Sequence, residues 1–389
     1  MLQPCVSWRE VPVSVITSGL KEIVPVCPTV TSGGATMKFT MYLYILLILL
    51  KPGIIQANDN QPFPVWPTTD EQESPDIYGT KVVWQQFVSE YGDYDIVVAD
   101  INNPAETIVN IFGYESEQMN PSIYENHIVW QDFVLWQGSM DWDIHMADIS
   151  NWNEPNIYVV SDIADNDEQN PTIHGNIVVW EDGFPGSLNI YGADITDPAG
   201  PTEFLISALD VDQQNPHIYR NTVVWQDSYF GDWDIYAADI WRRNVPIEFP
   251  VAFLEKDQIN PVISGNIVVW QDNFFDNWDI YAADISDPNN PVEFAVAIND
   301  SNAVAPDIDN NIIVWQDRRN DNWDIFGYNL ITDQELQITY DRNDQINPVI
   351  SGNIIVWQDY RNGNSEIYAI FLDEPEATGN IPKINSNID

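Results

Sequence analysis

The chain has 389 residues, of which 60 are acidic and 14 basic, for a formal net charge of −46. So acidic a surface repels nucleic acid and anionic lipid and argues against both as partners, while it favours cations, basic proteins and neutral polymers. Both cysteines, Cys5 and Cys27, precede Met37, so the chain beyond that point has no disulfide, no cysteine-bound zinc and no thiol nucleophile.

The first predicted element is an address. Met37-Lys38-Phe39-Thr40 leads into the apolar run Met41–Leu50, and Ile54-Ile55-Gln56-Ala57 ends on a small residue. A short positive flank, an apolar run of about ten residues and a small-residue cleavage site describe a secretory signal peptide. A membrane span needs about 20 residues. Residues 1–36 are therefore read as an over-extended N-terminus or leader, 37–57 as the signal peptide, and 58–389 as the exported domain, which places the protein outside the cytoplasm.

From there one unit recurs seven times. Its anchor tryptophans are Trp84, Trp130, Trp180, Trp225, Trp270, Trp315 and Trp357, spaced by 46, 50, 45, 45, 45 and 42 residues. A period of about 40–50 residues with several short strands per unit predicts a β-propeller, here all-β with seven four-stranded antiparallel blades and almost no helix. The fifth unit is the clearest. Asn260–Ser264 is a first strand, Gly265-Asn266 a turn, Ile267–Gln271 a second strand, Trp278–Ile285 a third and Val292–Val296 a fourth. Ile, Val, Trp and Tyr fill each run, and Gly, Asn, Asp or Pro closes it, which is strand chemistry. The second strand is apolar on both alternating faces and must be covered on both, as blades around a ring cover one another.

Asn126, Asn176, Asn221, Asn266, Asn311 and Asn353 stand four residues before their tryptophans, where a two-residue hairpin of type I′ wants positive φ. Pro75, Pro121, Pro171, Pro216, Pro261, Pro306 and Pro348 mark the start of each first strand, a place proline tolerates. Two segments compete to close the ring, Phe63–Trp66 and Ile381–Ile384. Completion of the last blade by the N-terminal strand is favoured, since pairing the chain ends removes exposed edges.

The Trp-Asp-Ile-Tyr cores at 233–236 and 278–281 invite comparison with WD40 repeats, but no Gly-His precedes them and the Trp-Asp pair opens the third strand. The order of a Gly-x-x-Ile-Val-Trp strand, an Asp/Asn/Gly loop and a Trp-Asp-Ile-Tyr strand resembles the TolB-like propeller repeats of bacterial and archaeal cell-surface proteins. That resemblance covers about residues 63–385. It implies a secreted or cell-surface, non-catalytic module that binds a protein or glycan.

In a four-stranded meander the loop after strand two and the loop to the next blade emerge on one side. Both are rich in Asp, Asn and Gln, so one face is expected to be the more acidic. Clustered oxygens suit calcium, and Asp272, Asp276, Asp317 and Asp321 are its candidates, although no EF-hand spacing occurs and solvated turns explain the same residues. No other cofactor is expected. No catalytic motif stands out. Residues that break the repeat are Glu181, where Gln is usual, and His145, where Tyr is usual; His127, His174 and His217 lie in or beside first strands. The alternative function is a carbohydrate-active propeller enzyme, a glycoside hydrolase or polysaccharide lyase. It would need two converging carboxylates or a base drawn from Arg220, Arg242, Arg243, Arg318 and Arg319. Trp136, Trp152 and Phe274-Phe275 are candidate loop aromatics for a sugar or protein, or ordinary packing.

Overall fold

The computed structural model describes residues 61–372, apart from 91, 112–115, 137–138 and 164–165, and without the side chains of 134–140. The signal-peptide region and the Ile381–Ile384 segment lie outside the described residues. Seven four-stranded antiparallel sheets follow one another along the chain. Blade 1 spans 72–111, blade 2 117–161, blade 3 167–207, blade 4 213–252, blade 5 258–297, blade 6 303–337 and blade 7 345–371. One four-residue helix, Pro104–Thr107, sits between strands of blade 1. Among the described residues no helix is long and apolar enough to cross a membrane.

The ring is closed by the N-terminal strand Phe63–Pro64, which pairs with Glu366–Phe371 as the outermost strand of blade 7. The seam is hydrogen-bonded beyond that short pairing. The Val65 N–H donates to Ile367 at 2.8 Å, and the Ile367 N–H donates to the side chain of Gln72 in blade 1 at 2.9 Å.

The core sits between blades. Each of the seven anchor tryptophans is at most 1% exposed. Trp270 of blade 5, for example, packs with Val224, Ile235 and Ala237 of blade 4, and Trp84 of blade 1 packs with Val356, Ile367 and Ala369 of blade 7. A strand apolar on both faces is thus covered by its own blade's neighbours on either side, and no blade can bury its tryptophan alone.

Two local expectations are corrected. In blade 5 the first strand is Gln258–Ser264, so Pro261 lies inside it and not at its start. The pairing slips between Ile259 and Val262, and Asn260 has φ 53°. The same left-handed residue precedes the proline in every blade: Ser74, Asn120, Asn170, Asn215, Asn260, Ala305 and Asn347. Proline is accommodated because it occupies a bulge where no ladder hydrogen bond is required of it. In the turn between first and second strands, only the first position is left-handed, as at Gly265 (φ 63°), Arg220 (φ 58°) and Asn310 (φ 54°). The following Asn contributes its carbonyl instead: Asn266 O accepts the N–H of Ile285 at 2.9 Å.

Candidate functional site

The first strands line the central channel, and their bulges organise it. The residue after each anchor tryptophan turns its side chain across the blade boundary and accepts the backbone N–H of the left-handed residue in the next blade. Gln85 accepts Asn120 (3.0 Å), Gln131 Asn170 (3.0 Å), Glu181 Asn215 (2.7 Å) and Gln226 Asn260 (2.9 Å). Gln271 accepts Ala305 (2.8 Å), Gln316 Asn347 (2.7 Å) and Gln358 Ser74 (3.2 Å), which closes the circle. Where the left-handed residue is Asn, its Nδ2 also donates within its own blade, as from Asn260 to Gln271 at 2.9 Å. The sequence reading placed no role on these asparagines or glutamines, although both recur in every clear copy of the repeat.

This belt assigns Glu181 a structural task. Its carboxylate accepts two donors, the N–H of Asn215 and the Nδ2 of Asn170 at 2.9 Å, where the other blades present a Gln amide oxygen. Burial holds its pKa above the ordinary value. His145 is likewise built in: its Nδ1 lies 3.1 Å from Asp132 Oδ2, and its ring stands edge-on to Trp130. Burial acts against ionisation of Asp132, but the hydrogen bond and charge of His145 outweigh it and hold that carboxyl below its usual value.

The far end of the channel, at the tight turns, is a cavity of about 480 Å³. Tyr78, Tyr124, His174 and Tyr219 from four consecutive blades form a contiguous aromatic wall there, with centroid separations of 4.6, 4.4 and 4.8 Å. Ser264, Asp309 and Ser351 hold the equivalent positions opposite. His217 Nδ1 accepts the Ile263 N–H at 3.2 Å, so that nitrogen carries no proton. Burial and then His174 push its pKa down to about 4. His127 pairs with Tyr124 and Asp148 in the ladder. His174 and His217 line this cavity together, and the charge of Arg220 acts on His174.

The opposite, loop-bearing face is different in kind. Phe184 (blade 3), Tyr229 and Phe230 (blade 4), and Phe274 and Phe275 (blade 5) stand exposed on the loops after the second strands, with Leu209, Phe253 and Leu254 on the connections between those blades. The loops are tied to one another. Asp212 Oδ1 accepts the N–H of Gly186 and of Leu188 (2.6 and 3.1 Å), and Asp212 O accepts Ser228. Lys256 N–H donates to Asp232, while its Nζ reaches Phe274 O and Asp276. The aromatic residues therefore form one arc over blades 3–5. Trp152, a candidate loop aromatic, instead packs partly buried against the core between blades 1 and 2. The side chain of Trp136 lies outside the description.

The four calcium candidates separate into two kinds. Asp272 and Asp317 are at most 2% exposed. Asp317 Oδ2 accepts Trp315 Nε1 (3.2 Å) and Arg319 (2.5 Å), and Asp272 Oδ1 caps the N–H of Phe274 (2.8 Å). Asp276 and Asp321 are left-handed turn residues; Asp276 is exposed and pairs with Lys256 at 2.5 Å. Among the described residues no three acidic or histidine side chains form a metal-holding group. Of the arginines named above, Arg319 pairs with Asp317 and Glu335, Arg318 lies over Trp323, and Arg243 lies over Phe204. Arg220 lies over Tyr219, and Arg242 is exposed on the tight-turn face.

One further buried acid has no counterpart. Glu168 lies in the first strand of blade 3, where five other blades carry Gln and blade 6 carries Ala303. In blade 4 the equivalent Gln213 donates to Ser207 Oγ (2.8 Å) and Asp227 Oδ2 (2.9 Å). Glu168 has no such N–H to offer: its carboxyl is buried beside Asp182, and among the described residues no side-chain donor meets either of its oxygens. Burial, and then the charge of Asp182, push its pKa up to about 9.

Blades, belt and closure define the class: this is a seven-bladed β-propeller of four-stranded antiparallel blades. Among solved structures it is similar to oligogalacturonate lyase from Vibrio parahaemolyticus, at 11% identity over 83% of this chain and 99% of that one, with a TM-score of 0.57. It is also similar to the β-propeller domain of the Trilobed protease from Pyrococcus furiosus (13%, 77% and 93%, TM-score 0.56), whose topology is described as open velcro, whereas the ring here is closed by Phe63–Pro64. TolB from Acinetobacter baumannii is 12% identical over 66% of this chain, with a TM-score of 0.46; the chain spans 62% of its length. At these identities the likeness is one of fold. No family model and no curated protein matches the sequence.

Proposed function

We propose that this is an extracytoplasmic, non-catalytic propeller that binds a protein or glycan on its loop-bearing face. The observation that carries the reading is the exposed aromatic arc of Phe184, Tyr229, Phe230, Phe253, Phe274 and Phe275. Large aromatics left in water on loops are a poor investment for folding but supply contact area at low conformational cost when a partner covers them. The residues that break the repeat, Glu181 and His145, have structural partners, which supports a binding role over a reaction centre. The apolar run Met41–Leu50 supports export.

The test is a glycan array and an envelope-protein pull-down with the chain from residue 58, run with and without calcium. Each is repeated on a variant carrying Tyr229→Ser, Phe230→Ser and Phe275→Ser. A ligand captured by the wild type and lost by the variant supports the reading. A ligand retained by the variant, or turnover of a polysaccharide, overturns it.

A further inference from the structure

Blade 6 contains its own bound cation. The guanidinium of Arg319 lies flat over Phe326, with Cζ 4.2 Å from the ring centroid. Its Nη2 donates to Asp317 on the second strand (2.5 Å) and its Nη1 to Glu335 on the fourth (2.6 Å). An acid, an aromatic face and a second acid thus hold a planar cation, and the side chain is 19% exposed. Arg361 of blade 7 repeats the placement, 4.2 Å over Tyr368 and doubly bonded to Asp359.

Strand register puts the same frame in blades 3, 4 and 5. It consists of Asp182, Tyr191 and Glu203 in blade 3, Asp227, Tyr236 and Glu248 in blade 4, and Asp272, Tyr281 and Glu293 in blade 5. The arginine is missing from each, because Phe184, Tyr229 and Phe274 stand where blade 6 has Arg319. A second observation is independent of that count. Asp182 is 4% exposed and its carboxyl faces the Trp180 indole N–H, but among the described residues no cation reaches its Oδ2, the atom that in Asp317 takes the guanidinium. In blade 4 Glu248 accepts the neutral donor Ser207 Oγ at 3.1 Å. Burial raises the pKa of Glu203, and burial together with the facing Asp227 or Asp272 raises those of Glu248 and Glu293; Asp182 is raised by burial and then by Glu203.

We propose that these three frames are guanidinium seats that receive arginine side chains of a basic partner protein, the segment lying across blades 3–5 beside the aromatic arc. It rests on the reading of the loop-bearing face only for the direction of approach. The arginine preference comes from blade 6, since a lysine ammonium cannot lie flat on the ring while bridging two carboxylates.

The experiment uses a fluorescent peptide with three arginines separated by Gly-Ser spacers, the same peptide with citrulline at those positions, and one with lysine. Anisotropy is read at about 0.15 M ionic strength, where exposed charges are largely screened. The test variant is Glu203→Gln, Glu248→Gln, Glu293→Gln; the charge-matched control is Asp197→Asn, Asp239→Asn, Asp287→Asn on the tight-turn face. We expect the arginine peptide to bind the wild type and the control alike, and to bind the test variant about tenfold or more weakly. The citrulline peptide should not bind, and the lysine peptide should bind more weakly than the arginine one. Equal binding by test and control variants, or by arginine and lysine peptides, overturns the assignment. Phe274→Arg gives a second reading: filling the blade 5 seat from within should raise Tm and weaken the arginine peptide. A plug that changes neither also overturns it. The aromatic-loop variant of the preceding test keeps all three seats, so the peptide should still bind it even if the loop-face reading fails.

Discussion

Glu181 accepts the backbone N–H of Asn215 across the boundary between blades 3 and 4, at 2.7 Å. The N–H it serves is fixed by a left-handed bulge (Asn215 φ 52°) and has no ladder partner. Glu181→Ala should therefore strand that donor and the Nδ2 of Asn170, costing about 1–3 kcal/mol. Glu181→Gln should keep the fold, because Gln does the same work at the other six boundaries. Urea unfolding checks both, and an undisturbed Glu181→Ala would show that the belt does not hold the blades.

Trp270 is fully buried between blades 4 and 5, whereas Asp276, six residues on, is exposed and pairs with Lys256. Trp270→Ala should cost about 3–5 kcal/mol by leaving a cavity. Asp276→Asn, which keeps a residue that tolerates the left-handed turn (φ 69°), should change stability by no more than about 0.5 kcal/mol, as loss of an exposed ion pair does. The comparison is made with and without calcium. A calcium-dependent loss at Asp276 as large as that at Trp270 would make the acidic loops metal sites.

Glu168 ties stability to pH. Its pKa in the fold is raised from 4.5 to about 9, so the folded state prefers the protonated carboxyl. The stability it contributes is fully present below about pH 4.5 and is lost as pH rises toward 9. Glu168→Gln restores the amide that five other blades carry. Its advantage over the wild type should therefore be smallest near pH 4 and grow through pH 9, as read from denaturation midpoints. A constant difference across that range would refute the assignment.

Ala305 occupies a left-handed position (φ 51°) that Asn fills in five other blades. Ala305→Asn should relieve part of the backbone strain and add an Nδ2 donor to Gln316, matching the Asn260–Gln271 bond. A gain of about 0.5–1 kcal/mol is expected. A loss would mean that the bulge in blade 6 has no room for the amide.

Val65, 2% exposed, anchors the closing strand in the cluster shared by blades 7 and 1. Val65→Asp should bury an unpaired charge at the ring seam and lower Tm more than Ile331→Asp, since Ile331 is 74% exposed. Equal shifts in a thermal scan would show that the ring does not depend on this closure.

The number of blades, the strand order within each and the burial of all seven tryptophans follow from local chemistry. A six-residue run such as Ile267–Asp272 is apolar on both faces, and its period of repetition forces it to be covered by its own neighbours. The preference for Phe63–Pro64 over the C-terminal segment agrees with the same reasoning about exposed edges. Turns were harder to read. The pattern Gly-Asn suggested two left-handed positions and the structure has one, because the Asn carbonyl is needed by the residue after the third strand.

What only the tertiary structure decided is which polar residues meet across a blade boundary. Gln226 and Asn260 lie 34 residues apart and share no local signal, yet they bond because the ring brings the second strand of one blade against the bulge of the next. For the same reason Glu181 and His145, which look like reaction residues when read along the chain, are occupied by partners from other strands. The sequence by itself determined the repeating unit, since strand period, turn residues and apolar faces act within about 45 residues. The acid–aromatic–acid frames of blades 3–5 arise within single blades from strand register, whereas side-chain pairing around the ring required the closed circle to exist first.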